Sequence, residues 1–215
     1  MDYENVLRTG HSIFAADRKL TDCTIDPFRY ASQIARIKNK GLSLTDSDRV
    51  EVTRVEVYRG WPDSRANPKG NSLNTRQKES WTRGHQGVVD VTLRPLRKVP
   101  RSNKWQEKGV DVLCALALVG ASRSHQFEVV VLASRDSDLG PAIDEAFRER
   151  DPGVEVGAAK WYDPDVKESR GFLPAERSFP TVNLWRSEYE ASLDPTPYMT
   201  RKERRQKQRE NETSG

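Results

Sequence analysis

Cysteine, methionine and histidine are scarce in this chain, whose 215 residues include two cysteines, two methionines and three histidines. Cys23 and Cys114 lack the spacing of a metal site, and Cys114 falls in an apolar run that is typical of a core position. The histidines do not cluster, so we expect no imidazole-based metal site. Because few cysteines suit a reducing compartment, we expect a cytoplasmic protein.

Long apolar runs are also missing. The longest, residues 112–121, is too short to cross a bilayer, so we expect no membrane partner. Hydrophobic residues make up 35% of the chain and charged residues 32%, which predicts a modest core with long solvated loops. The length suits one domain with an appendage. We expect a domain over residues 1–195, followed by a basic polar tail over 196–215 that is disordered.

Apolar periodicity predicts strands that alternate with helices along the chain. Period-two or continuous apolar runs predict strands at 49–58, 87–96, 127–134, 153–159 and 180–185. Helical spacing predicts helices at 27–40, 110–122, 137–150 and 185–193, with a shorter one at 74–83. Because strands and helices alternate, we expect an α/β fold with a parallel sheet covered on both faces.

Positive charge is concentrated in one stretch, although the net charge is only +4. Residues 93–109 carry six Lys or Arg side chains against one acid, Glu107. Backbone charge and base stacking on aromatic side chains hold single-stranded nucleic acid. We expect single-stranded RNA to bind Arg97, Lys98, Arg101, Lys104, Trp105 and Lys108. The alternative stays open that Trp61, Trp81 and Trp105 pack loops onto the core and that the cations form a solvated face.

Two aspartates, Asp136 and Asp138, follow the apolar strand predicted at 127–134. Ligands of parallel sheets bind beyond the carboxyl ends of the strands, where this pair lies. One aspartate explains a helix N-cap. A second anion beside it costs free energy unless a cation neutralises both, so capping and divalent-metal binding both remain open. Asp111, in the first turn of a predicted helix, has the same two interpretations.

Three motifs carry a resemblance to a known family: "DYEN" at residues 2–5, "KGVDVLCALALVGAS" at 108–122 and "VVVLASRDSDLGPAIDEA" at 129–146. In order and approximate spacing they resemble the NYN domain family, a branch of the PIN-like nucleases, and the match spans most of residues 1–161. The resemblance implies a Rossmann-like PIN-type parallel sheet flanked by helices. It also implies a metal-dependent ribonuclease in which acids at the carboxyl edge of the sheet hold Mg²⁺ or Mn²⁺. By motif, the catalytic metal ligands are Asp2, Asp111, Asp136 and Asp138, supported by Asn5 and Ser134.

The chain differs from the family pattern at its start, because only Met1 precedes Asp2. We therefore expect the first strand to be truncated or missing, either in the protein or because the recorded start is wrong. The loss would leave unpaired backbone beside residues 129–132. Two alternatives to the ribonuclease stay open. One is the same fold with a degraded metal site that binds RNA or a protein, and the other is a different phosphoryl-handling fold. A homo-oligomer or an unknown protein partner is also left open.

Overall fold

A computed structural model describes residues 1–43, 47–102, 104–171, 175–176 and 178–198. The elements in this part of the chain are α1 (Tyr3–Phe14), α2 (Pro27–Lys38), β1 (Val55–Trp61), α3 (Pro68–Gly84), β2 (Val89–Pro95), β3 (Arg97–Lys98), β4 (Trp105–Gln106), α4 (Val110–Ser122), β5 (Val129–Ala133), α5 (Gly140–Glu149), β6 (Glu155–Trp161), β7 (Thr181–Leu184) and α6 (Arg186–Ser192). Short 3₁₀ turns span Leu20–Cys23, Ser137–Leu139 and Lys167–Arg170. Most of the predicted tail lies outside the described residues.

The main strands form two parallel sheets that lie side by side. Strand β1 pairs with β2, and β6 pairs with both β5 and β7. Met1 and Asp2 join the two sheets, because the Tyr58 N–H donates to the Met1 carbonyl at 2.9 Å and the Asp2 N–H donates to the Ala133 carbonyl at 3.0 Å. The resulting order is β2, β1, Met1–Asp2, β5, β6 and β7. The expectation of an α/β fold with parallel strands is confirmed.

Helices cover both faces of this layer. On β5, Val130 and Leu132 pack into a core with α4 and α5, whereas Val131 and Ala133 face a second core that includes residues of α1, α2, α3 and α6. Successive side chains of a strand point to opposite faces, so a strand covered on both sides must be apolar at every position. The run "VVVLA" of β5 meets this requirement.

Helix α1 was not predicted from the sequence, yet its apolar pattern is regular. Its buried residues are Tyr3, Val6, Leu7, Gly10, Ile13 and Phe14, which recur at helical spacing. The Asp2 carboxylate caps the helix by accepting a hydrogen bond from the Asn5 N–H at 3.2 Å. The helix therefore begins directly at the sheet edge, and its first turn brings Asp2, Glu4 and Asn5 there.

The remaining differences from the sequence prediction have local causes. The strand predicted at 49–58 begins only at Val55, because the Asn39 side chain takes up both backbone groups of Val50 at 2.8 and 2.9 Å. The basic stretch contains an unpredicted antiparallel hairpin, in which β3 pairs with β4. Both cysteines are buried and free, as predicted for Cys114. None of the helices in the described part of the chain is long and apolar enough to cross a membrane.

Candidate functional site

Ser134 joins the Asp2 carboxylate to the backbone of Asp136 at the carboxyl edge of the sheet. Ser134 is buried, and its hydroxyl donates to Asp2 Oδ2 at 3.1 Å. The same oxygen, Ser134 Oγ, accepts a hydrogen bond from the Asp136 N–H at 3.1 Å. Burial, the largest cause, raises the pKa of Asp2 above its ordinary value, and the negative charge of Asp136 adds to the shift. Two of the four predicted carboxylates therefore lie close enough to influence each other's charge.

The supporting residue Asn5 fixes the loop that carries this pair. Its side-chain Oδ1 accepts the Arg135 N–H at 2.9 Å, which ties the first turn of α1 to the end of β5. The Arg135 guanidinium donates to the Glu168 carbonyl, and within the described ranges it forms no salt bridge with Asp2 or Asp136. Both predicted supporting residues, Asn5 and Ser134, thus contact the acid edge.

Asp138 is not brought to this edge. Its side chain is exposed, and it is its backbone N–H that contacts Asp136, by donating to Asp136 Oδ1 at 3.1 Å. Asp136 therefore acts as the N-cap of the short turn Ser137–Leu139, which is the capping interpretation that the sequence left open. Asp138 is the acid of the pair that capping does not explain, and its side chain is exposed to solvent.

Asp111 lies at the margin of the same edge. It occupies the first turn of α4 and is exposed. The helix begins after Gly109, whose φ of +80° is in the left-handed region that glycine adopts without strain. Burial raises the pKa of the Cys114 thiol to about 11, and the charges of Asp2, Glu107 and Asp111 add to this shift. Their negative potentials therefore converge on the start of α4.

Glu107 is an acid of this edge that the sequence analysis did not assign to the site. Burial raises its pKa to about 7, and the negative charges of Glu4 and Asp2 add to the shift. Its Oε1 is buried without a hydrogen-bond partner among the described residues. A side chain at Gly60 would displace it, because a Cβ there would lie 2.9 Å from that oxygen. The sequence feature that could have identified Glu107 was its position four residues before Asp111, in the connection between the hairpin and α4.

Arg59 is a second residue that sequence reasoning missed. Its guanidinium is buried, donates to Glu4 Oε1 and to Gln77 Oε1 at 2.7 Å each, and lies 4.2 Å from the centre of the Tyr3 ring. Arg59 therefore supplies a buried positive charge that contacts one acid of this edge, Glu4. The signal was an arginine in a strand whose neighbours on both sides are apolar or aromatic.

The oxygen donors of this edge fit a hard divalent cation. Carboxylates suit Mg²⁺ and Mn²⁺, and Mg²⁺ sites commonly use one or two carboxylates together with waters and substrate phosphates. Asp2 and Asp136 are the two carboxylates available here, and both oxygens of Asp2 already accept hydrogen bonds, from the Asn5 N–H and the Ser134 hydroxyl. No three Asp, Glu, His or Cys side chains in the described ranges are grouped closely enough to form a complete protein cage.

The predicted RNA-binding residues lie on the β3–β4 hairpin, which projects from the carboxyl edge. Pro95 ends β2 beside Trp61, and β4 leads through Glu107 into α4. The hairpin and its connections carry exposed Arg97, Lys98, Arg101, Lys104, Trp105 and Lys108. Within the described residues, none of these five cations forms a salt bridge. The predicted cations and Trp105 therefore lie together on the hairpin and its connections, and Glu107 follows β4 directly.

The tryptophans of the polar segments have different environments. Trp81 is 2% exposed, packs against Tyr3, and donates its indole N–H to Asp194 at 2.6 Å. Trp105 is 41% exposed on the hairpin. Trp81 therefore packs its segment onto the core, which is the alternative that the sequence left open. The ring of Trp105 is accessible to a base of a nucleic acid.

Comparison of the chain with protein-family models, with curated proteins and with solved structures found no match. The resemblance to the NYN family therefore remains an inference from the three motifs.

Proposed function

We propose that this protein is a metal-dependent ribonuclease of the PIN-like type, acting on single-stranded RNA with Mg²⁺ or Mn²⁺. The observation that carries the proposal is that Ser134, at the carboxyl edge of a parallel sheet, donates to the Asp2 carboxylate and accepts the backbone N–H of Asp136. This is the edge at which parallel α/β sheets bind their ligands. The neighbouring hairpin supplies exposed cations and an exposed tryptophan, the groups that hold a single strand.

The charge balance of the edge supports a cationic cofactor. The negative charges of Glu4 and Asp2 raise the pKa of Glu107, so these three carboxyl groups repel one another when they are ionised. Arg59 offsets part of this charge through its contact with Glu4. A divalent cation between Asp2 and Asp136 would relieve the rest. Such an ion, when bound, activates a water and stabilises the leaving oxygen of a phosphodiester.

The chain's own residues have separate roles in this proposal. Asp2 and Asp136 would hold the cation, and Ser134 and Asn5 fix their positions through the contacts described above. Glu107 is about half protonated near neutral pH, because burial raises its pKa to about 7, and in this proposal it would serve as the general acid for the departing oxygen. The cations of the hairpin position the RNA backbone.

A second candidate is a module of the same fold that binds RNA without cutting it. It is favoured by the exposed positions of Asp111 and Asp138, which leave two of the four predicted ligands apart from Asp2 and Asp136. In that case the hairpin would still bind single strands, and the acids would serve as helix caps.

The deciding experiment is RNA cleavage by the purified full chain and its Asp136→Asn variant, using labelled mixed-sequence single strands with Mn²⁺ or with a chelator. Asparagine keeps the cap to the Asp138 N–H and removes the charge. We expect cleavage only with the ion, and a rate at least ~100-fold lower in the variant, as for other essential electrostatic groups.

A matched control is Asp17→Asn. Asp17 is exposed and lies beyond the end of α1, whose 12 residues span about 18 Å from the acid edge. It should leave cleavage unchanged. Near-normal activity of Asp136→Asn would contradict the assignment of the site. Tight RNA binding without cleavage under any ion would favour the second candidate.

A further inference from the structure

Trp185 is an exposed aromatic residue at the carboxyl edge of the sheet, on the side away from the hairpin. It directly follows Leu184, the last residue of β7, and it is 46% exposed. Tryptophan is highly buried on average in folded proteins. Among the described residues, four large hydrophobic side chains are exposed, and Trp105 and Trp185 are the two aromatic ones. Both follow strands of the same sheet layer.

The neighbours of Trp185 fix its position. The Tyr162 ring lies 5.0 Å from the Trp185 ring, centre to centre, at an angle of 85°. The backbone is also fixed, since the Tyr162 N–H donates to the Leu184 carbonyl and the Trp185 N–H donates to Glu188 Oε2, at 2.8 Å each. In an edge-to-face pair, each ring keeps at least one face that the other does not cover. Trp185 therefore presents a positioned aromatic ring to solvent, which is what base stacking requires.

The strand order places Trp185 and Trp105 on opposite sides of the acids. Strand β7 lies two strands from β5, so at ~4.8 Å per strand about 10 Å separate the end of β7 from Ser134, which follows β5. The hairpin that carries Trp105 follows β2, at the other end of the strand order. Asp2 lies between β1 and β5. From β2 to β7 there are five intervals of ~4.8 Å, or about 24 Å.

We propose that Trp185, backed by Tyr162, is a base-stacking site for single-stranded RNA, and that the strand crosses the carboxyl edge between Trp105 and Trp185. The inference rests on the RNA binding of the proposed function and adds a substrate contact beyond the acids and the hairpin. At the ~3.4 Å spacing of stacked bases, about 24 Å corresponds to about seven nucleotides. A strand held on both sides of the acids has its central phosphates positioned over Asp2 and Asp136.

The charges around Trp185 indicate that stacking, rather than attraction of phosphates, would supply the affinity of this site. The loop after β6, residues 162–171, contains three acids and two cations, and Arg186 next to Trp185 makes the numbers equal. These residues are Asp163, Asp165, Glu168, Lys167 and Arg170. The hairpin and its connections, in contrast, carry five exposed cations. Affinity from Trp185 should therefore depend little on salt, whereas affinity from the hairpin should depend on it strongly.

The test measures the binding of labelled single-stranded RNA to the full chain in a chelator, so that a metal-dependent cleavage does not occur. We expect Trp185→Ala to weaken binding ~5- to 150-fold, as for the loss of one stacked base, and to leave the slope of log K against log salt unchanged. Trp185→Phe should recover part of the affinity, because it keeps a ring that can stack. The control is Leu116→Ala, which removes an exposed apolar side chain from α4 and should change nothing.

The length of the RNA separates a stacking role from a structural one. Strands longer than about seven nucleotides can contact Trp105 and Trp185 at once. Shorter strands can stack on Trp105 instead, so Trp185→Ala should affect them much less. A substitution that only disturbed the packing of the chain would weaken short and long strands alike.

Each outcome of these measurements separates the stacking site from the ribonuclease. Unchanged binding by Trp185→Ala, with RNA cleaved normally when Mn²⁺ is added, would overturn the stacking site and leave the ribonuclease proposal intact. Length-dependent loss of binding, with no cleavage under any divalent ion, would support the stacking site and contradict the ribonuclease. An equal loss for short and long strands, or a changed salt slope, would overturn the stacking site. Absence of RNA binding by the unaltered chain would overturn both.

Discussion

The gap between β1 and β5 is closed at its carboxyl end and open along the rest of its length. At the closed end, the backbones of Met1 and Asp2 bond to Glu56, Tyr58 and Ala133. At the open end, the same two strands border a cleft of apolar side chains. The same two strands border both ends, which differ in that Met1 and Asp2 lie between the strands at the closed end.

This difference separates the end of the gap that positions the acids from the end that has no ladder bonds among the described residues. The closed end places the Asp2 carboxylate beside Ser134 and starts α1, so it needs only the last position of a strand. At the open end, the cleft side of β5 has no ladder partner among the described strands. A site held by a few contacts is precise only if its support is rigid, so the contacts of Asn5 and Ser134 are what hold the acid edge in place.

The largest expected effect contrasts the two sides of β5. The Val130 backbone faces β6, as Glu128 does, whereas the Val131 backbone faces the cleft. Val130→Pro removes a buried ladder bond and should lower the free energy of unfolding by about 1–3 kcal/mol more than Val130→Ala does. Val131→Pro removes no ladder bond to the described strands and should cost about 1 kcal/mol or less, apart from the strain of the fixed φ.

Urea denaturation measures both values, and the matching alanine variants at the two positions correct for the side chains that proline replaces. Equal destabilisation by the two proline variants would mean that the cleft side of β5 is paired in solution, and the gap would then be closed along its whole length.

A smaller effect is expected in the pH dependence of stability. The pKa of Glu107 is raised from 4.5 to about 7, so the folded state binds more protons than the unfolded state between these values. Stability from this group is present below pH about 4.5 and is lost as the pH rises through about 7. The loss should be roughly 1–2 kcal/mol, since the side chain is only partly buried and solvent screens it.

Glu107→Gln should flatten this slope, and thermal melting from pH 4 to 8 measures it. Added Mg²⁺ should flatten the slope of the wild type as well if a cation binds beside Asp2, because the cation offsets the charge that opposes ionisation. A slope unchanged by the substitution would place Glu107 in solvent and away from the acids.

Local patterns in the sequence predicted those elements whose neighbours are near in the chain. Helix α4 was predicted with the bounds it has, because its apolar run, residues 112–121, is too long and too rich in alanine for a strand. Helix α1 was missed, although its apolar spacing is regular, because polar residues between the apolar positions are equally typical of a loop. The start of β1 was misplaced because the Asn39 side chain, distant in sequence, takes the backbone of Val50.

The same limit applies to the site. The order of the motifs predicted Asp2, Asn5, Ser134 and Asp136, which the structure places in contact. Sequence spacing did not reveal that Asp138 is exposed, since that depends on the 3₁₀ turn between the two aspartates. It also did not reveal Glu107, whose shifted pKa arises from burial against Gly60 and from the charges of distant acids.

The smallest expected effect concerns the hairpin, which borders the closed end. We predict that reversing Arg97, Lys98 and Lys104 to glutamate weakens binding of single-stranded RNA and reduces its salt dependence. Each phosphate that is no longer neutralised should lower the slope of log K against log salt by ~0.7, so three give a change of about 2. The fold should be unaffected, because all three side chains are exposed and form no salt bridge in the described part of the chain.

The matched control reverses three exposed cations beyond the carboxyl ends of α1, α4 and α5, namely Lys19, Arg123 and Arg150. These helices begin at the acid edge, so the control charges lie at the other end of the molecule. The two triple variants have the same net charge, and any difference between them reports where the RNA lies. Fluorescence anisotropy of a labelled single strand at several salt concentrations measures both slopes. An equal change in the two variants would indicate diffuse attraction by the net charge and would remove the hairpin from the proposed RNA path.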